Sequence, residues 1–479
     1  MVQNFPQSRC SPCQYSTTVW LYQGYVDDLS KSKHKHKMLS MRKRLFEEHK
    51  AAPTLVRVET FTDGQISLCR VTFSNGLEGF GQLGNKDPDF SSEMLHRRVA
   101  PALAGLSLTE TAMGLFTSST SMMSPLMERV LKFELNYKQM GVQLSKAVAG
   151  VDSAVWDALA KQLGVPACDL WRELFFDHQS DDAVASVPVY ASSIARNAGT
   201  DVLCKEFGDL FTKHGIRRFK MKIGERMRGE RLDNREVREI KDQVIEVCSA
   251  MKKVCPDVRM AFDANGAFYS LEDVDRIFSG VETTVKPWFV EEPVPWYRST
   301  LSRPHGEYLL AGGEQEFRAD VWEYAMNQSV FDVYQPDFGY SGGPSSVLLI
   351  ARAVYRQNSS RKKYFAPHSP QNDFHPVFSF HLLASLPREM SDAIGMELAC
   401  VDDGVQQIAL DEHGRFQPRF ADGKCGTLVV KEGRLTMENV TRLKGWGVDV
   451  DTKFLSKMEH RVFDLTVEQS QTNQKRSFL

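Results

Sequence analysis

The sequence predicts an α/β protein built around a barrel of parallel strands joined by helices, and three observations predict it. Three carboxylates each follow an apolar, strand-like run: MAFDAN carries Asp263, PWFVEEP carries Glu291 and YLLAGGE carries Glu314. The steps between them are 28 and 23 residues, close to the length of a strand, a returning helix and two short loops. The same rhythm extends in both directions. Upstream, RRFKMKIG places Lys220 and Lys222 two apart on a strand, hence on one face. Downstream, VYQPDFGYSGG brings Asp337 after 23 residues, YFAPHSP brings His368 after 31, and IGMELA brings Glu397 after 29. The step from Lys222 to Asp263 is longer, 41 residues, and residues 225–238 read as a charged insertion there. Consecutive strands of a closed barrel would set the carboxylates side by side at the carboxyl-terminal rim, where barrel enzymes keep their chemistry. Three converging carboxylates repel one another unless a hard cation lies between them, which points to a divalent metal, Mg²⁺ before Mn²⁺.

The rest of the chain is taken in order. Its 479 residues exceed what one core of about 250–300 residues holds. Hydrophobic residues make up 42%, charged residues 25%, and the net charge is −2, so neither nucleic acid nor membrane is an expected partner. No apolar run reaches the roughly 18 residues a span requires. Nine cysteines lie scattered along the chain, which predicts reduced thiols and a cytoplasmic setting. Cys10-Ser-Pro-Cys13 is a lone pair with no second pair, read as surface thiols. Residues 31–44 (KSKHKHKMLSMRKR) are strongly basic. We read residues 1–52 as a solvated extension ending in a short helix over 38–50, not as a nucleic-acid or metal tract, because no second basic patch accompanies it. No apolar core of a secretory leader is present either.

Residues 54–61 and 66–73 read as strands, with Asn75-Gly76 as a hairpin turn. Gly79-Phe80-Gly81-Gln82-Leu83-Gly84 matches the dinucleotide pattern G-x-G-x-x-G, but no helix opens after it and no βαβ unit surrounds it, so that function is set aside. A helical region spans 91–174, and its AVAGVDSAVWDALAKQLG run stops at Gly164. VPVYASS (187–193) reads as the first barrel strand. The helix behind it covers 200–213, with Thr200 as N-cap.

Together the K-x-K, D-x-N, E-E-P, G-E, P-D…GG and P-H signatures, in that order and followed by a carboxylate on the last strand, resemble the enolase superfamily, and within it the mandelate racemase subgroup. The resemblance covers roughly residues 53–451. It implies a modified TIM barrel, (β/α)7β, over residues 185–400. An α+β capping domain would combine residues 53–184 with a return segment, 401–455, packed over the carboxyl-terminal rim, and 456–479 would be a tail. One departure stands out. The long lid loop usual between the first two strands is reduced here to about four residues, Thr62-Asp63-Gly64-Gln65.

The resemblance also implies chemistry. Asp263, Glu291 and Glu314 would hold one Mg²⁺ per subunit, and Lys222 would remove the α-proton of a carboxylate substrate, as Lys or His bases do in this superfamily. Lys220 would lower the Lys222 pKa and help neutralise the substrate carboxylate. His368, oriented by Asp337, would work from the opposite face. Glu397, if protonated, would donate a hydrogen bond to the substrate, and Asn265 would touch its metal-bound carboxylate. Glu292 is expected to be supporting, and Glu316 and His381, beyond the strand ends, structural. The leading expectation is dehydration of a sugar acid to a 2-keto-3-deoxy acid by a homo-oligomer. The alternatives are a racemase or epimerase of an α-substituted acid and a non-catalytic barrel scaffold.

Overall fold

A computed structural model describes residues 36–84, 87–117, 121–133, 141–176, 186–193, 195–196, 198–281, 284–295, 308–357, 362–369, 373–401, 410–422, 426–439 and 443–466. Cys10, Cys13, Cys425 and most of the basic extension lie outside them. Of the remaining cysteines, Cys69, Cys168, Cys204, Cys248 and Cys255 are free thiols.

Strands β1 (Leu55–Thr62), β2 (Ser67–Phe73) and β3 (Glu78–Gln82) form an antiparallel meander. Asn75-Gly76 makes the second turn, with Gly76 at φ +81°. The helix Val142–Leu163 packs across this sheet and ends at Gly164 in the left-handed region, a stop that glycine permits. Gly79 and Gly81 of β3 let the helix approach. A methyl group on Gly79 would lie 2.0 Å from the Ala154 carbonyl oxygen, and one on Gly81 would lie 2.3 Å from Ser153 Oγ. The G-x-G-x-x-G match is therefore a helix-packing motif on an antiparallel strand. Gly81→Ala is expected to cost about 1–3 kcal/mol through overpacking, measured as a lower urea midpoint at unchanged slope.

The helix His36–His49 sits a little earlier than the sequence predicts, and its far end is no solvated extension. Met41 and Leu45 are buried. Arg42 and Arg44 donate to the Leu174 and Leu163 carbonyls at 3.1 and 3.0 Å. Basic side chains here satisfy the unpaired carbonyls at two helix ends.

The barrel strands are β4 (Ser186–Ser193), β5 (Arg218–Lys222), β6 (Arg259–Asp263), β7 (Pro287–Glu291), β8 (Leu309–Gly312), β9 (Val333–Tyr334), β10 (Tyr364–Phe365) and β11 (Met396–Val401). All pair in parallel in the order β10-β9-β8-β7-β6-β5-β4-β11. The strands are mostly buried, as helix-covered parallel strands must be. Among the described residues β10 and β11 share no strand pairing. There the Ser369 N–H donates to Glu397 Oε2 at 3.2 Å. Returning helices include Thr200–His214 and Asn234–Val254. The first is capped by Gly199, not Thr200, which is its first helical residue. The last part of the predicted charged insertion is the cap and start of the second: Asp233 and Glu236 form its capping box, and Arg228 braces Glu236 and Glu230.

The carboxyl-terminal segment departs from expectation. β12 (Arg415–Phe416), β13 (Leu428–Lys431) and β14 (Arg434–Met437) do not sit over the rim; β14 pairs with Ser186–Pro188 at the amino-terminal end of β4. The cause is that β4 starts before its neighbours. β11 reaches it from Val189 onward and β5 only from Ala191, leaving the backbone groups of 186–188 to be satisfied elsewhere. Residues around Trp446 do return to the cap: Asp157 accepts the N–H groups of Phe80 (2.8 Å) and Trp446 (2.9 Å). The stretch assigned to a tail contains β15 (Glu459–Asp464), which pairs antiparallel with β1 and covers that strand's otherwise open edge.

Candidate active site

Register brings the ionisable residues together. Lys222 lies opposite Asp263 across β5 and β6, and Asp263 lies opposite Glu291 across β6 and β7. Asp337 and His368 form a parallel bridge just beyond the ends of β9 and β10. Glu314 is the exception: Glu291 is opposite Ala311, and Glu314 lies two residues past the end of β8. The chain reaches it through Gly313 at φ +109°, where a methyl group would meet Trp322 at 2.3 Å.

Asp263, Glu291 and Glu314 are buried, with one oxygen of each lying within 4.8 Å of the others. Lys220 donates to both oxygens of Glu291 at 2.9 and 2.8 Å and lies 2.6 Å from Glu397 Oε1. Lys222 pairs with Asp263 and donates to Asn265 Oδ1 at 2.9 Å. His368 Nδ1 faces Asp337 at 2.9 Å, and its Nε2 faces Glu314, also at 2.9 Å. Lys222 thus holds the Asp263 end of the carboxylate group and His368 the Glu314 end.

Among the described residues, six buried carboxyl groups (Asp263, Glu291, Glu292, Glu314, Asp337 and Glu397) gather around Lys220, Lys222 and His368, with Arg196 near enough to act on Asp263 and Glu314. Burial pushes Glu291 up to about 8, with Lys220 working against the rise and Asp263 adding to it. Burial and the neighbouring Glu314 raise Glu292 well above its ordinary value, and its Oε1 has no hydrogen-bond partner among the described residues. This excess of negative charge is what a divalent cation would relieve, so the triad fits a hard metal ion. Burial lowers Lys220, but Glu291 and Glu397 more than offset it and keep the ammonium charged. Burial likewise works against a charged His368, and Glu314 and Asp337 overcome it. Lys220→Met would leave Glu291 and Glu397 buried without their cation. A loss of about 3–5 kcal/mol is expected, read by chemical denaturation in the absence of metal, with Mg²⁺ returning part of it.

One expectation changes. Glu397 is not a spare proton donor: although burial raises it, Lys220 and His368 push its carboxyl down to about 2, and it accepts from Lys220 and from Ser369 N–H. Asn265 faces the triad as well as the protein: its Nδ2 donates to Asp263 Oδ2 at 3.3 Å and to Glu314 Oε1 at 3.4 Å. Its Oδ1 accepts from Arg196 (2.6 Å) and Lys222 (2.9 Å), and its N–H donates to Asp263 Oδ1 at 2.9 Å. Its φ of +44° is one that Asn tolerates. Glu316 and His381 are structural: Glu316 accepts the N–H groups of Phe317 and Arg318, and His381 joins Cys168 N to the Trp446 carbonyl.

Other site residues escaped the sequence. Gln335 donates to Glu291 Oε2 at 2.8 Å, and the Tyr190 ring lies under Lys220 at 5.8 Å. Gln335 stands two residues before Asp337, and period-two alternation could have found it. Arg196 lies in a loop and carries no such signal.

Two family models match the chain. The model described as "Enolase C-terminal domain-like" covers residues 203–453, more than half of it. The model described as "Mandelate racemase / muconate lactonizing enzyme, N-terminal domain" covers 41–171 and so reaches into the basic stretch. An arabinonate dehydratase from Saccharolobus solfataricus is 25% identical over 232 residues, 47% of this chain and 55% of that protein. An L-Ala-D/L-amino acid epimerase from Populus trichocarpa is 25% identical over 229 residues, 47% of this chain and 44% of that one. The aligned stretch thus spans about half the length of these relatives. Among solved structures, the L-talarate dehydratase from Polaromonas sp. JS666, complexed with Mg and L-glucarate, superposes with a TM-score of 0.63 at 18% identity, covering 86% of this chain and 99% of that one. The structural likeness carries the fold, a TIM barrel with an amino-terminal cap, and the family models carry the kinship: this chain belongs to the mandelate racemase / muconate lactonizing enzyme family of the enolase superfamily.

Proposed function

We propose that the chain is a Mg²⁺-dependent enzyme that removes the α-proton of a carboxylate substrate and dehydrates a sugar acid, aldonate or aldarate, to a 2-keto-3-deoxy acid. One observation carries the reading: Lys222 and His368 flank a single buried carboxylate triad from opposite ends. Mg²⁺ bound to Asp263, Glu291 and Glu314 would supply the positive charge that stabilises an enediolate. Lys222 takes the α-proton, and Asn265, held by Arg196, orients the lysine. Lys220 keeps Glu291 and Glu397 charge-balanced beside the substrate carboxylate. His368, held through Nδ1 by Asp337, presents Nε2 to the substrate and gives its proton to the departing β-hydroxyl.

Relatives named as dehydratases support this reading. A second reading, epimerisation of an α-substituted acid, is favoured by the same pair of bases and by the epimerase relative. Small-molecule acids are the partners in both readings, and no helix of the described residues is long and apolar enough to cross a membrane. Incubating the protein and Mg²⁺ with a library of aldonic and aldaric acids should yield a 2-keto-3-deoxy acid from one of them. Inversion at the α-carbon without a keto product would favour the second reading. No reaction with any member would reject the sugar-acid assignment.

A further inference from the structure

We propose that the end of β3, Gln82-Leu83-Gly84, is a strut from the capping domain that positions the Asp337–His368 pair, which makes Gln82 a positioning residue of the site. The inference rests on the acid–base role assigned to that pair. The loop bearing Asp337 and the helix that follows His368 in the chain both touch this tripeptide. On the His368 side, the buried side-chain oxygen of Gln82 accepts the N–H of Phe374 at 2.8 Å, at the start of the helix Phe374–Ser385. On the Asp337 side, Gly84 presses on Gly339 so closely that a methyl group on Gly339 would lie 2.6 Å from Gly84 Cα. That same methyl position is 3.3 Å from Asp337 Oδ1 and 3.3 Å from His375 Cε1. One crossing point therefore gathers the cap strand, the orienting aspartate and the residue after Phe374.

The aspartate is fixed further by Tyr340, whose N–H donates to Asp337 Oδ1 at 2.9 Å, and the Lys146 ammonium lies over the Tyr340 ring at 5.6 Å. Lys146 also backs Gly84: its N–H-accepting carbonyl is 3.3 Å from Gly84 N. His375 is buried, with the Leu83 backbone beside its ring. Burial lowers the His375 pKa and favours the uncharged imidazole beside Asp337. A shift of the cap by a fraction of an ångström would move the Asp337 loop and the start of the Phe374 helix. Misplacement on that scale is costly where proton transfer needs heavy-atom distances of about 2.6–3.2 Å.

The test needs no substrate. Full-length protein labelled with [¹⁵N]histidine and loaded with Mg²⁺ should show a strongly downfield Nδ1 proton for His368 bonded to Asp337, identified by its absence in His368→Asn. Gln82→Met, similar in length but without the acceptor, should lose that resonance to exchange with water, and Gln82→Glu should restore it. Ser345→Ala should leave it in place, because it loosens a different cap–barrel contact, the one Ser345 makes with Asp152 and Trp156. Should Gln82→Met not fold, Gly339→Ala supplies the same readout. An unchanged resonance in Gln82→Met, or equal loss in Ser345→Ala, would overturn the proposal while leaving the acid–base reading intact. If no wild-type resonance disappears in His368→Asn, the pair itself is wrong and both fall together.

Discussion

Asp263→Asn is expected to abolish the Mg²⁺ response of the protein and to lower turnover by about 10³-fold or more. The ligand set sits at the bottom of a buried, carboxylate-rich site, and Asp263 anchors it: its oxygens meet Lys222, the Asn265 backbone and the neighbouring ligands. Losing one anionic ligand weakens the ion's hold and the stabilisation of charge developing on the substrate, a loss of several kcal/mol, and about 1.4 kcal/mol is tenfold in rate. The binding half of the result is measurable without a substrate. An ion present at 100 times its dissociation constant should stabilise the native wild type by about 2.7 kcal/mol, read as a rise in thermal midpoint. Asp263→Asn should show no such rise. A variant stabilised by Mg²⁺ as much as the wild type would place the metal elsewhere.

His368→Asn should lower turnover about 10²–10⁴-fold, the usual contribution of one general acid or base. Its partial reactions separate the two functional readings. In a dehydratase the variant lacks the acid for the leaving hydroxyl, so keto product falls by that factor, yet Lys222 still exchanges the α-proton with solvent deuterium if enolisation is reversible. In an epimerase, one epimer stops reacting while Lys222 still exchanges the α-proton of the other. Product analysis therefore decides, and exchange alone does not. We expect lost dehydration. Wild-type turnover by His368→Asn on the true substrate would remove that residue from the mechanism. The expectation follows from geometry: Lys222 stands at the Asp263 end of the triad and His368 at the Glu314 end.

The sequence steps were informative because they equal strand register. The 28 residues from Asp263 to Glu291 and the 31 from Asp337 to His368 are the offsets at which those residues face each other. The step to Glu314 gave the right residue for another reason, since it lies beyond the paired strand and is delivered by a glycine turn. The tail strand β15 was missed because four of the six residues of EHRVFD are polar or charged and the strand depends on an edge that β1 leaves open. The location of β12–β14 was missed because nothing local records that β4 starts before its neighbours.

The amino-acid sequence by itself determined the succession of strand-and-helix units, the apolar runs that bury the strands, and the type and spacing of the ionisable residues, because side-chain alternation and element length are local properties. Tertiary structure alone decided which charges neutralise which. Lys220 could have stood beside Lys222 facing the substrate, but the barrel turns it onto Glu291 and Glu397. Glu397 thereby becomes an acceptor, and Asn265 is claimed by Arg196. Tertiary structure also joined Gln82 to Phe374 across 292 residues of chain. Pairings of this kind depend on distances of a few ångströms between groups far apart in sequence, set only when the cap and barrel close on one another and exclude the water that would otherwise screen them.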